Sequence, residues 1–413
     1  MLLRSLEPSS TRGERLAKVV GAVALVGWAA WWLASVYQLR LPWGERTWMR
    51  VPAFGVDFWT QSEYAARRFL NGISPYAEPD HLFHYPPVVI RLFLWVGWFT
   101  PGAALRIWVA ILAAIMIAGT FAACRSRRDL GLTPLHPVIA LPLVLLSFPV
   151  VFALERANFD LITLLAILLA VPLMRRGTGA ADFAAGALLS LGPWVKIYPG
   201  VLGAGLVSLR RWKALAGFVV GGLAIGLATP RETLWSFRVI REAIRRVQLW
   251  ALFPGEYGAW THSLPIAWIR FRVATAGTPI GALAQRIPPW CLSVVVVVPL
   301  LAWVCLRIYR SRGDVRVAYP LFLWLVSLAS FVPDIANDYS LAPFPLAAVA
   351  VVGMNDPLPL RLSLLPLLLW WQPISLPISG IVVLVIKLVG VAAVGVALTL
   401  RAESLAVAPP EAR

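Results

Sequence analysis

Acidic side chains are scarce in this chain. Of 413 residues only 20 are Asp or Glu, against 37 Lys or Arg, and just four of those are lysines. Charged residues make up 14% of the sequence, where soluble domains average about 25%, which excludes an ordinary soluble globular protein. The three cysteines, Cys124, Cys291 and Cys305, lie in or beside apolar runs without metal-ligand spacing. That excludes a disulfide framework and reads as small buried apolar residues. The regularly alternating segments of roughly ten residues that build a membrane barrel are also missing.

What is present is apolar length. The chain is 59% hydrophobic with a mean hydropathy of +0.76, and apolar runs recur from Leu16 to Leu400. These features predict an all-α polytopic membrane protein built as a single domain over 1–413. The run Val19 to Leu39 is too long for a signal-peptide core, and no small-residue cleavage site follows it, so it reads as a first transmembrane helix. Arg12, Arg15 and Lys18 hold its start in the cytoplasm by the positive-inside rule. The net charge of +17 sits in short loops: Arg125, Arg127 and Arg128; Arg175 and Arg176; Arg210, Arg211 and Lys213; Arg307, Arg310, Arg312 and Arg316. Nucleic acid is therefore not the expected partner. Membrane lipid headgroups or a lipid-borne phosphate are.

Further apolar runs fall near 134–152, 158–174, 181–195, 198–209, 214–229, 290–306, 317–332, 339–354, 360–371 and 376–400. Several are shorter than the roughly 20 residues of a full span, so protein or the interface must shield their ends. Parity constrains the first half: with Arg12 and the Arg125 cluster both inside, 85–124 crosses an odd number of times. The run 87–99, which carries Arg91, is then expected to be re-entrant or interfacial; the alternative is that the first charge rule is broken. Two long loops, 40–86 and 231–288, face outward, as do shorter ones at Glu155–Asp160, Lys196–Tyr198 and Pro333–Asp338. The tail 401–413 is cytoplasmic, and the protein is expected in a bacterial-type inner membrane with its chemistry outside.

The first outer loop holds Asp57 among Phe54, Phe58 and Trp59. Thr60-x-x-Glu63 has capping-box spacing, which predicts a helix over about 61–71 that stops at Asn71-Gly72. With Thr60 as the cap, two readings of Asp57 stay open: a loop aspartate bonding its own backbone, or a general base at the membrane–water interface. Tyr85-Pro86-Pro87 opens the next helix. His81-x-x-His84 beside Asp80 offers too few ligands for zinc, so no metal is assigned. Leu154-Glu155-Arg156-Ala157-Asn158-Phe159-Asp160 reads as an Arg–carboxylate pair with an N-cap. Lys196, in Trp194-Val195-Lys196-Ile197-Tyr198-Pro199, is either a functional ionisable group or a snorkelling anchor. Around Leu234 to Leu249, the spacing of Arg238, Arg241 and Arg245 puts them on one side of an amphipathic helix.

Taken in order, "DFWTQSEYAARRFLNGISPY", "YPPV", "ERANFD", "WVKIYPGVLGAGLVSLRRWKAL", "HSLPIAWIRF" and "NDYSLAPFPLAAV" resemble glycosyltransferase family 87, over about residues 50 to 355. The resemblance implies a GT-C-type bundle of roughly 11–13 transmembrane helices with interfacial helices in its two outer loops. It implies inverting transfer of a hexose, mannose first, from a polyprenyl-phosphate donor to an outward-facing glycan or lipid acceptor. No cofactor is implied, and no DxD pair of the nucleotide-sugar type occurs. Asp57 would be the base, Lys196 and Arg156 would hold the donor phosphate, and Tyr85, Glu155, Asn158, Tyr198, His262 and Asp338 would line the substrate site. The chain departs from the family where relatives often carry glycine, at Ala157, and where they often carry histidine, at Asp338. A non-catalytic polyprenol-phosphate or lipid transporter, or an envelope-assembly scaffold, is the alternative, separable by whether sugar is turned over.

Overall fold

Proline and glycine cut the apolar runs into helices of very unequal length. The computed structural model describes residues 12–36, 54–76, 83, 85–251, 262–333, 336–353, 356–358 and 380–407. Asp80, His81 and His84, the proposed span 360–371 and the tail 408–413 lie outside them. The described chain is helical without strands, as an all-α polytopic membrane protein requires, because a helix satisfies every backbone polar group internally.

Helix α1 covers Arg12–Val36. A π-helical turn, Phe58–Glu63, runs into α2, Tyr64–Leu70. Then come α3 (Pro87–Leu92), α4 (Pro101–Asp129), α5 (Pro137–Leu145), α6 (Phe148–Glu155), α7 (Leu161–Arg175), α8 (Gly179–Leu189), α9 (Leu191–Val195), α10 (Leu202–Ser208) and α11 (Trp212–Leu227). The second half holds α12 (Pro230–Ala251), α13 (Leu264–Ala274), α14 (Pro279–Arg286), α15 (Trp290–Arg310), α16 (Ala318–Ala329), α17 (Pro343–Val351) and α18 (Gly380–Val407). Among the described residues three helices are long and apolar enough to cross a membrane, and up to five if each bent pair counts as one span. The bent pairs are α5–α6, broken by 64° at Leu146-Ser147, and α11–α12, broken by 91°. Residues Pro87–Trp98 form a short apolar helix, too short for a bilayer whose core needs about 20 residues.

The capping box does not form. Helical backbone begins at Val56, ahead of Thr60, and Thr60 Oγ1 donates to the Val56 carbonyl at 2.7 Å. Glu63 instead pairs with Arg67 one turn on. The cause is tertiary: Gly55 N–H donates to the Glu155 carbonyl at 2.7 Å and Asp57 N–H to that of Arg156 at 3.2 Å. These bonds start the helix early and place Asp57 against the loop after α6. Gly55 alone suits the entry, since its φ is +77° and a Cβ would meet Leu105 Cδ1 at 2.6 Å. The stop at Asn71-Gly72 does form: Ile73 N–H reaches back to the Arg68 carbonyl at 2.9 Å with Gly72 at φ +72°.

The basic loops gather at one end of the bundle, where several of their arginines, and Arg401 of the last helix, meet carboxylates. Arg175 pairs with Asp129 at 2.6 Å, Arg211 with Asp182 at 3.3 Å, Arg307 with Glu403 at 2.7 Å, and Arg401 with Asp356. Buried Arg127 instead donates to the carbonyls of Thr133 at 2.6 Å and Val349 at 3.1 Å. At the centre, α16 and α17 are buried along their whole length; Tyr319 donates to Gly119 of α4 and Trp324 to Val391 of α18, both at 2.8 Å.

Helices α8 and α11 approach backbone to backbone through small residues, the usual device where lipid removes the hydrophobic drive for helix association. A Cβ on Gly217 would sit 2.0 Å from the Phe183 carbonyl oxygen, and one on Gly186 1.7 Å from that of Ala214. Gly217→Val must therefore pry the pair apart, at an expected cost of about 3 kcal/mol. Gly222→Ala, whose nearest neighbour would be 3.7 Å away, is expected to be neutral or stabilising. Thermal unfolding of the purified variants in nanodiscs checks both, and equal melting points would contradict the packing.

Candidate active site

At the opposite end of the bundle, two carboxylates and two cations lock together around one asparagine. Asp57 is buried. Its Oδ1 accepts from Arg156 Nε at 2.9 Å and from Arg156 Nη2, and its Oδ2 accepts from Asn158 Nδ2 at 2.6 Å. Asn158 is fully buried and uses its other end on the Asp160 backbone, Oδ1 accepting that N–H at 2.9 Å. This is an Asx turn at the start of α7, which satisfies an N-terminal donor locally and aims the amide at Asp57.

Asp160 is the second acid. Its Oδ2 accepts from Lys196 Nζ at 2.9 Å, Tyr198 OH at 3.2 Å and Ser340 Oγ at 2.8 Å. Five parts of the chain therefore meet: the π-helical turn, the α6–α7 loop, the break between α9 and Tyr198, the turn at Asp338–Leu341, and Tyr85. Tyr339 packs between the cations, 4.7 Å from Lys196 Nζ and 5.9 Å from Arg156 Cζ to its ring centroid. Burial would lower the Lys196 pKa, but the Asp160 carboxylate outweighs it and holds the value above the ordinary range. A raised lysine contributes its stability fully at neutral pH and loses it only as pH climbs through that raised value. Burial pushes the Tyr85 hydroxyl up, so it stays neutral.

The structure brings together Asp57, Arg156, Asn158, Lys196, Tyr198 and Tyr85. Tyr85 reaches the cluster with its ring edge against Phe159 at 4.5 Å, while Tyr76 OH donates to its carbonyl at 2.7 Å. Glu155 serves through its backbone, as acceptor for Gly55, and its buried Oε1 meets no donor among the described residues. His262 ties its loop to the α16 end: its Nε2 lies 2.8 Å from Ser330 Oγ and its N–H donates to the Ala336 carbonyl at 3.0 Å. The Asp338 backbone opens the turn that carries Tyr339 and Ser340; its side chain is outside the described residues. Helix α12 exposes Arg238 and Arg241 as its spacing predicts, while Arg245's side chain is outside the description. The helix turns toward the site, where Trp235 meets Tyr76 at 5.2 Å and Phe237 meets Trp194 at 6.3 Å.

Sequence reasoning passed over Asp160, Tyr339 and Ser340 as site residues. The signal for Asp160 was available: a rare acid in an interruption between apolar runs, as Lys196 is a rare lysine in another. The segment read instead as an Arg–carboxylate pair with an N-cap for the helix after Asn158. In the structure Asp160 occupies the cap position but makes no cap bond.

Ala157, between the two halves of this loop, has φ +50°, a left-handed conformation that costs a residue with a Cβ about 1–2 kcal/mol. It is retained because Trp108 Nε1 donates to the Ala157 carbonyl at 2.9 Å and the flanking residues are pinned. Ala157→Gly is expected to raise stability by about 0.5–1 kcal/mol after the extra unfolded-state entropy of glycine is subtracted. An unchanged or lower melting point in nanodiscs would contradict this strain.

Fold and site together define a helical membrane protein with a buried cluster of paired acids and cations at one end. The chain belongs to glycosyltransferase family 87, whose family model matches residues 83–332, more than half of it. It is therefore a glycosyltransferase. No curated protein and no solved structure matches it. The match takes in Arg156, Asn158, Asp160, Lys196 and His262, and begins after Asp57.

Proposed function

We propose that this glycosyltransferase moves a hexose, mannose first among them, from a polyprenyl-phosphate donor to an outward-facing glycan or lipid acceptor, with inversion at the anomeric carbon and a GT-C-type architecture. The observation that supports it best is the double grip on Asp57, since a general base must be held in hydrogen-bond reach of the proton it takes. In the proposed step the acceptor oxygen bonds to the anomeric carbon as its proton passes to Asp57. The bond from that carbon to the phosphate oxygen breaks, and its electron pair leaves with polyprenyl phosphate. Charge gathering on the phosphate oxygens calls for cations in a dry site, a role that suits Lys196 and Arg156. Both are already balanced by carboxylates, so the phosphate enters a neutral cluster and draws on N–H groups oriented beforehand. The exposed Arg238 and Arg241 of α12 stand at the same end of the bundle, suited to lipid headgroups, with the basic end in the cytoplasm.

The test is a transfer assay with purified protein in nanodiscs, radiolabelled polyprenyl-phosphate mannose and crude envelope acceptors. Released polyprenyl phosphate with label in the acceptor is the expected result. No turnover with polyprenyl-phosphate mannose, glucose or arabinose would overturn the donor class.

A further inference from the structure

The Asp160 carboxylate is satisfied on one oxygen only. Lys196, Tyr198 and Ser340 all converge on Oδ2, while Oδ1 is buried and no donor reaches it among the described residues. The side chain is 5% exposed, and a buried ionised oxygen left without a donor is costly. Three donors on one atom also fix the plane of the carboxylate and hence the direction of Oδ1. A rigid, unsatisfied, charged acceptor is the device with which a site reads a hydroxyl.

The charge balance selects the partner's chemistry. Lys196 bonds Oδ2, so a phosphate oxygen at Oδ1 would meet the like charge of the carboxylate on the side away from that cation. A neutral O–H donor meets no such penalty and gains a charge-assisted hydrogen bond. Asn158 links the two acids: its one amide joins the Asp160 backbone to the Asp57 carboxylate, which places Asp160 in the same cluster as the group proposed to act on the sugar. We propose that Asp160 Oδ1 accepts a hydrogen bond from one hydroxyl of the transferred sugar, making Asp160 a residue that determines sugar specificity. This rests on the polyprenyl-phosphate hexose reading above.

The test measures binding of short-chain polyprenyl-phosphate mannose and its 2-, 3-, 4- and 6-deoxy analogues to the full chain in nanodiscs, without acceptor. One deoxy position is expected to bind about tenfold or more weakly than the parent, the size of a lost charge-assisted bond. In Asp160→Asn the three donors hold the amide oxygen at the old Oδ2 position and turn NH2 toward the sugar, where the hydroxyl can only accept a neutral bond, so the gap at that position is expected to shrink severalfold. Asp160→Glu keeps the ion pair with Lys196 but displaces the oxygen, and gives the same readout if the Asn variant does not fold. Equal binding of all four analogues to the native protein overturns the proposal whatever the variants do, and so does a gap that persists at full size in both variants. If neither mannose, glucose nor arabinose donors bind at all, the donor class itself fails and this inference with it.

Discussion

Asp57→Asn is expected to lower sugar transfer by about 10²–10⁴-fold, the usual worth of a positioned general base. The substitution is not silent structurally. Its amide oxygen can still face Arg156, but its NH2 then points at Asn158 Nδ2, donor against donor. Asn158 cannot flip to help, because its Oδ1 is engaged by the Asp160 N–H. A fall in activity from the single variant therefore mixes chemistry with misplacement. The exchange variant Asp57→Asn with Asn158→Asp separates them: position 57 now donates to a carboxylate at 158, which still accepts the Asp160 N–H, and the net charge is kept. That variant is expected to fold near the native melting point and to remain inactive, since the carboxylate has moved out of place. Transfer within tenfold of native from either variant would remove Asp57 from the reaction.

Lys196→Met is expected to be the most damaging change to the fold of the cluster. It leaves the Asp160 carboxylate buried with only the hydroxyls of Tyr198 and Ser340, and breaking a buried ion pair from one side costs about 3–5 kcal/mol. The double variant Lys196→Met with Asp160→Asn removes both charges and is expected to be clearly more stable than Lys196→Met alone, because no uncompensated ion remains. Thermal unfolding of all four proteins in nanodiscs gives the cycle. Additive losses would mean that the two groups are not coupled, and would contradict the 2.9 Å pair. Transfer is expected to fall in both variants, the double included, which separates the loss of a phosphate-facing cation from the loss of fold.

Much of the fold was legible because its signals are local. Apolar runs predicted α7, α11, α15 and α16 within a few residues, and Asn71-Gly72 predicted the end of α2. The arginine-rich loops were expected on the cytoplasmic side; the structure pairs Arg175, Arg211, Arg307 and Arg401 with carboxylates and leaves Arg127 on backbone carbonyls. The capping box failed for a non-local reason: backbone bonds from Gly55 and Asp57 to the α6–α7 loop outcompeted a local cap at Thr60. Periodicity likewise did not anticipate the 64° break between α5 and α6, which turns a single apolar run into two short helices.

The candidate site divides along the same line. Composition and ordered motifs were enough to determine a helical membrane protein and to single out Asp57, Arg156 and Lys196 as charges in unusual places. Which charge answers which was decided only by the tertiary structure. Ion pairs at 99 and 36 residues' separation and a Ser340 contact 180 residues from Asp160 depend on how five loops meet. A low-dielectric interior makes each such meeting energetically decisive, yet it leaves no mark on the spacing of residues along the chain.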